Sequence, residues 1–218
     1  TKFLYDIETI NFKEPFQRLF NQGMICKDGT KMSKSKGNVV SPDEIVEEYG
    51  ADCLRIYELF VGPPEQDSEW NDEGVEGVYR FLNKMWNICL RSCNNEIESR
   101  EEVTRETHKL TQKVKERIED FKLNTVISAF MSYSNFLARE ASSGIDKENL
   151  EIFLNLIAPF APHFAEELWK RSGYDESIFE EGSWPEANLE IAAEDTVEIP
   201  IQVNGRVRET LQIEKSWD

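Results

Sequence analysis

From Asp72 to Gly173, apolar residues return every three or four positions. That period commits the stretch to helices that each turn one face toward a shared core. The first segment carries Val75, Val78, Leu82, Met85, Trp86, Cys89 and Cys93; the second carries Val103, Leu110, Val114, Ile118 and Phe121. The third carries Leu123, Val126, Ile127, Phe130, Ser134 and Leu137. The fourth, KENLEIFLNLIAPFAPHFAEELWKRSG, contains Pro159 and Pro162, and each removes an amide donor and predicts a kink or break. Segments of this kind joined by short connections predict an antiparallel helical bundle over 72–188.

The flanks read differently. Residues 13–22, KEPFQRLFNQ, place Phe16, Leu19 and Phe20 on one helical face, with Gly23 as a stop. In SPDE, Ser41 can accept backbone N–H bonds, Pro42 suits the first helical position and Glu44 completes an S-x-x-E box, so a helix is expected over Pro42–Tyr49 and ends at Gly50. A further helix from Asp52, apolar on most sides through Leu54, Ile56, Tyr57, Leu59 and Phe60, should be well buried before GPPE stops it. Beyond GSWPEANLE the period becomes two: Val197, Ile199, Ile201 and Val203 lead to an Asn204-Gly205 turn, and Val207, Leu211 and Ile213 return. A lone two-stranded hairpin is marginal, so this one either packs on the bundle or opens a further domain. The expected fold is mainly α. A helical linker with a polar loop occupies 1–71, the bundle 72–188, and a short β-hairpin from a truncated α+β domain 189–218.

The formal net charge of -17 argues against binding nucleic acid through the whole surface, because phosphate neutralisation needs clustered Lys and Arg. Any such contact must be local. No run approaches the roughly 18 apolar residues of a spanning helix, and TKFLYDIETI has neither the basic flank nor the cleavage site of a secretory signal. The cytoplasm is the expected compartment. Cys26, Cys53, Cys89 and Cys93 form no CxxC pair and read as reduced thiols, although Cys89 and Cys93 stand four apart on one helix and could face a metal.

One stretch departs from this acidity. KDGTKMSKSKGNVVSPDEIVEEYGAD sets Lys31, Lys34 and Lys36 between Gly29 and Gly37, just before a capped helix N-terminus. A glycine-flanked loop can bring ammonium groups and Ser hydroxyls onto phosphate oxygens, and the helix end adds unpaired amides and a positive dipole. The P-loop pattern G-x-x-x-x-G-K-[ST] is absent, which disfavours a P-loop nucleotidase. A solvated basic surface loop is the competing reading from composition.

KMSKS at Lys31–Ser35 resembles the second signature motif of class I aminoacyl-tRNA synthetases, and its extension KMSKSKGNVVSPDEIVEEYGADCLR resembles the subgroup handling Leu, Ile, Val and Met. With EPFQRLFNQGM, GPPEQDSEWNDEGVEGVYRFLNKMWN, APFAPHFAEELW and IQVNGRVRE, nearly the whole chain is similar to the bacterial-type leucyl-tRNA synthetases. The resemblance implies ATP-dependent activation of leucine to leucyl-adenylate, then transfer to tRNA(Leu), with Mg2+ on the ATP phosphates and the enzyme a monomer. By motif position, Lys34 and Lys31 are the catalytic candidates. Lys31, Met32, Ser33, Lys34 and Ser35 together form the ATP-binding candidate, with Met32 as a packing anchor and Gly37 as the point that lets the loop move. No H-x-G-H motif of the nucleotide-binding fold and no editing domain occurs in these residues, so the resemblance implies part of a larger enzyme, inactive alone. Only ICKDGT separates Met24 from Lys31, so the insertion some bacterial members carry there is missing.

The bundle resembles the family's anticodon-binding domain. Arg105, Lys109, Lys113 and Arg117 recur every four residues and could track tRNA phosphates, against the reading of a solvated face shared with Glu106, Glu116 and Glu119. Arg206 and Arg208 beside the hairpin turn could meet RNA or form an ordinary charged edge. His163 reads as a helix-packing residue, and Trp86 and Trp169 as core. Two other readings remain at this stage: an isoleucine or valine enzyme, which the GPPE and QGM contexts disfavour, and a non-catalytic helical RNA-binding or scaffold module.

Overall fold

The structure is a computed structural model that describes residues 1–193, 196–203 and 206–214. Its centre is the predicted bundle. Helix α4 (Asp72–Asn94) starts where the Asn71 side chain accepts the Glu73 N–H at 2.8 Å, and it buries Val75, Val78, Phe81, Leu82, Met85, Ile88 and Cys89. Helices α5 (Glu101–Glu119) and α6 (Leu123–Glu140) pack along each other, and the Thr107 and Tyr133 hydroxyls meet between them at 2.7 Å. Burial lifts the Tyr133 phenol well above its ordinary range, so it serves as a neutral hydrogen-bonding group. Phe121, expected to continue α5, instead sits after the helix with φ 60° and packs edge-on to Phe20, ring centroids 4.4 Å apart.

The fourth periodic segment is broken, as its prolines predict. It forms α7 (Lys147–Ile157), whose Asp146 cap accepts the Asn149 N–H, and α8 (Pro162–Arg171). Phe130 of α6 lies edge-on to both Phe153 and Phe160, which seats the break in the core. Two short turns follow, α9 (Ile178–Glu181) and α10 (Leu189–Ala192). The second packs on α5, where the Asn188 N–H donates to His108 Nδ1 at 3.3 Å.

Ahead of α4, β1 (Ile25–Lys27) and β2 (Thr30–Lys31) form a tight hairpin. Asp28 and Gly29 both take positive φ there, the geometry that Asp-Gly favours. A third strand, β3 (Ser68–Glu69), runs parallel to β1, giving the order β2-β1-β3. Between β2 and β3 lie α2 (Pro42–Tyr49) and α3 (Ala51–Phe60), joined by Gly50 at φ 89°, ψ 155°. Both helices match expectation, and α3 buries Cys53, Ile56 and Tyr57. Ser41 occupies the N-cap position but its side chain makes no capping bond; Asp43 and Glu44 in the first turn complement the helix dipole instead.

The helix expected over 13–22 does not form. The N-terminal helix is α1 (Lys2–Asp6), and Phe16 and Leu19 are more than 80% exposed. Ten residues are too few to hold a helix without tertiary support, and of the expected apolar face only Phe20 finds a partner, Phe121, while Phe16 and Leu19 stay exposed. At the other end, β4 (Thr196–Val203) and β5 (Arg206–Glu214) pair antiparallel with Val197 opposite Ile213 and Ile199 opposite Leu211, as the alternation predicts. The expected Asn204-Gly205 turn lies outside the described residues.

Candidate functional site

The lysine segment is an organised loop. Lys31 ends β2, Met32 is half-buried against the hydrophobic core, and Lys34–Lys36 form a single 3-10 turn closed by Gly37 at φ 68°. The ammonium-bearing Lys31, Lys34 and Lys36 are all exposed. The Ser33 and Ser35 hydroxyls stand 3.2 Å apart on the same turn. Three exposed cations and two adjoining hydroxyls thus stand within one short loop, a composition suited to an anion with several oxygens.

Asn38 organises this loop. Its Oδ1 accepts the Ser33 N–H at 2.9 Å, while its Nδ2 donates to the Lys27 carbonyl and the Thr30 hydroxyl, each at 3.1 Å. One side chain therefore ties the turn to both strands of the hairpin. Glu69 braces the far end of the hairpin by accepting the Gly29 N–H at 2.9 Å. Sequence reading passed over both residues. An Asn directly after the glycine that closes a loop is a signal for Asn38, since its amide can bond local backbone; nothing local marks Glu69.

Beside the loop a cleft of about 670 Å³ opens, lined among others by Met24, Lys31, Met32, Glu58, Pro63 and Phe121. Its far wall belongs to the α5–α6 connection, so the lysine loop and the bundle share a surface. The GPPE segment forms one rim, and there the Pro64 carbonyl accepts the Gly23 N–H at 2.8 Å.

The basic stripe of α5 divides in two. Arg105 pairs with Glu101 at 2.7 Å and Lys109 with Glu106 at 2.8 Å. Lys113 is exposed, and Arg117 donates to the Thr125 carbonyl at 2.6 Å; these two line a notch of about 170 Å³ with Ser128 and Ser132 of α6. Arg206 and Arg208 fall on β5, Arg206 opposite Val203. The structure thus groups Lys31, Lys34, Ser33 and Ser35 in one place, and Lys113 with Arg117 in another.

Other singled-out residues have structural surroundings. Trp169 is buried and stacked on Tyr174 at 3.8 Å, and Trp86 is half-buried edge-on to Phe164. His163 differs from its expectation. Its side chain is 77% exposed, with Nδ1 2.8 Å from Asp52 Oδ1, because position 163 lies on the outer side of α8 beside the start of α3. Burial pushes the Cys53 thiol up to about 12 and the Cys89 thiol higher still, while Cys93 Sγ meets the Ser172 hydroxyl at 3.2 Å.

Two families match this chain. Residues 4–71 match tRNA synthetases class I (I, L, M and V), and residues 101–218, more than half of the chain, match the anticodon-binding domain of tRNA ligase. The leucine–tRNA ligase of Pseudothermotoga lettingae is 48% identical over 98% of this chain, and that of Thermotoga maritima 43% identical over 98%. The chain spans about 28% of the length of each of these relatives. Among solved structures, the leucyl-tRNA synthetase agnB2 of Agrobacterium radiobacter K84, in a ternary complex with tRNA and LeuAMS, superposes with a TM-score of 0.78. It is 34% identical, and the match covers 100% of this chain and 30% of that one.

Proposed function

Because this chain belongs to the tRNA ligases that carry this anticodon-binding domain, we propose that it is part of a leucine–tRNA ligase and supplies that enzyme's KMSKS loop and tRNA-docking bundle. The observation that carries the reading is the loop itself: three exposed lysines and two adjacent serine hydroxyls, fixed on a hairpin by Asn38. In the intact enzyme the leucine carboxylate attacks the α-phosphorus of ATP and pyrophosphate departs. Negative charge grows on the leaving group, and Lys34 with Lys31 beside it stabilises that charge more in the transition state than in bound ATP. Ser33 and Ser35 donate hydrogen bonds to phosphate oxygens or hold the turn. Met32 anchors the loop to the core.

In this proposal residues 1–71 close the catalytic domain, 72–188 dock tRNA(Leu), and 189–218 begin a further domain. Lys113 and Arg117 are the foremost phosphate contacts of the bundle; Arg105, Lys109, Arg206 and Arg208 complete the tRNA-facing set. Among the described residues no group of three or more His, Cys, Asp or Glu is placed to hold a metal. By the family resemblance Mg2+ would be held by the ATP phosphates, where it would supply positive charge to the departing pyrophosphate. No described helix is long and apolar enough to cross a membrane. The family resemblance is what supports a monomer acting in the cytoplasm.

The test is Lys34→Ala in the full-length ligase. Leucine-dependent ATP–pyrophosphate exchange should fall by about 30- to 1,000-fold, the loss of about 2 to 4 kcal/mol of transition-state stabilisation. Unchanged exchange would remove the lysine loop from catalysis, and exchange driven by isoleucine or valine instead of leucine would reassign the substrate.

A further inference from the structure

The break between α7 and α8 leaves backbone groups that the bundle does not satisfy by itself. Pro159 and Pro162 bring no N–H, and the N-cap position of α8 is Ala161, whose side chain cannot accept. Groups from α3 take over. Asp52, only 8% exposed, accepts the Phe164 N–H on Oδ2 at 2.7 Å and faces His163 Nδ1 with Oδ1 at 2.8 Å. One turn further along, Arg55 donates from Nη2 to the Pro159 carbonyl at 2.9 Å and from Nε to the Phe160 carbonyl at 3.4 Å. A carboxylate therefore caps the N-terminus of α8 while a guanidinium takes carbonyls before it, each charge placed where the backbone dipoles favour it.

The helix that supplies these groups belongs to the loop side of the molecule. Only Gly50 separates α3 from α2, and α2 follows the lysine loop directly. The other end of α3 is held as well: the Tyr57 hydroxyl accepts the Asn71 N–H at 2.8 Å, and its ring lies edge-on to Trp70, which follows β3. The lysine loop thus has a polar attachment to the bundle through α3.

We propose that Asp52 and Arg55 are positioning residues, which set the bundle's orientation against the KMSKS loop so that bundle-docked tRNA meets the site where the adenylate is made. The proposal rests on the leucine–tRNA ligase reading above. Of these two parts, activation of leucine draws on the loop and not on the bundle, whereas transfer needs loop and bundle in one register, so the two half-reactions should respond differently.

The experiment uses full-length ligase carrying Asp52→Ala, Arg55→Ala, the conservative Asp52→Asn and Arg55→Lys, and the double alanine variant. Leucine-dependent ATP–pyrophosphate exchange without tRNA should stay within about threefold of the parent, while kcat/KM for tRNA in leucylation drops at least about tenfold. Asp52→Asn, which keeps an acceptor for the Phe164 N–H, should recover part of that loss. The double variant should fall no further than the worse single one, since both groups hold one joint. Exchange and leucylation declining in parallel in all variants, the mark of a damaged fold, would overturn the proposal, as would leucylation at parental level. A parent without leucine-dependent exchange would instead overturn the ligase reading.

Discussion

At the scale of single residues, Asn38 is the side chain on which the lysine loop depends. It is half-buried and bonds to Ser33, Lys27 and Thr30, so Asn38→Ala removes three contacts that no water can reproduce together. The loss should be about 1 to 2 kcal/mol of loop order, read as a 5- to 30-fold fall in ATP–pyrophosphate exchange at subsaturating ATP, with little change in melting temperature. Exchange at the parental rate would mean that the hairpin orders the lysines unaided. Lys31 and Lys34 were legible in the sequence because their chemistry stands in one short run. Asp52 was not, because its partners His163 and Phe164 lie 111 and 112 positions away and only the fold brings them near.

At the scale of elements, the periodic segments produced the helices they implied, because each carried a continuous apolar stripe that the bundle could bury. The failed helix over 13–22 had a stripe of which only Phe20 is covered, by Phe121, and periodicity cannot reveal that Phe16 and Leu19 would find no partner. The break in the fourth segment was legible from its prolines, whereas the polar groups that stabilise it came from another element. Gly50 governs how α2 and α3 meet: its φ of 89° and ψ of 155° lie in a region open essentially to glycine alone, and space around it is free. Gly50→Ala should therefore cost about 1 to 3 kcal/mol through backbone strain alone. Thermal unfolding checks this, with an expected drop of about 2 to 4 °C per kcal/mol. A melting temperature equal to the parent's would show that the α2–α3 corner relaxes.

At the scale of the whole molecule, an acidic chain sets Lys31, Lys34 and Lys36 in the loop and Lys113 with Arg117 at the α5–α6 notch, local groups that suit contacts with discrete phosphates rather than a general attraction to nucleic acid. In the proposed ligase, residues outside these 218 would complete the ATP site, the chain spanning about 28% of the relatives' length. The chain expressed by itself should show a helical circular dichroism spectrum and no leucine-dependent exchange; exchange from it would mean that the lysine loop forms a complete site. The parallel pairing of β1 with β3 has a further consequence, for the order of assembly. Strand residues about 43 positions apart must find each other before the hairpin beneath the loop is braced, whereas α5 and α6 meet across one turn. Closing the longer span costs more chain entropy before any contact is gained. During synthesis the lysines leave the ribosome ahead of the bundle, yet they wait for β3 to emerge before their brace can form.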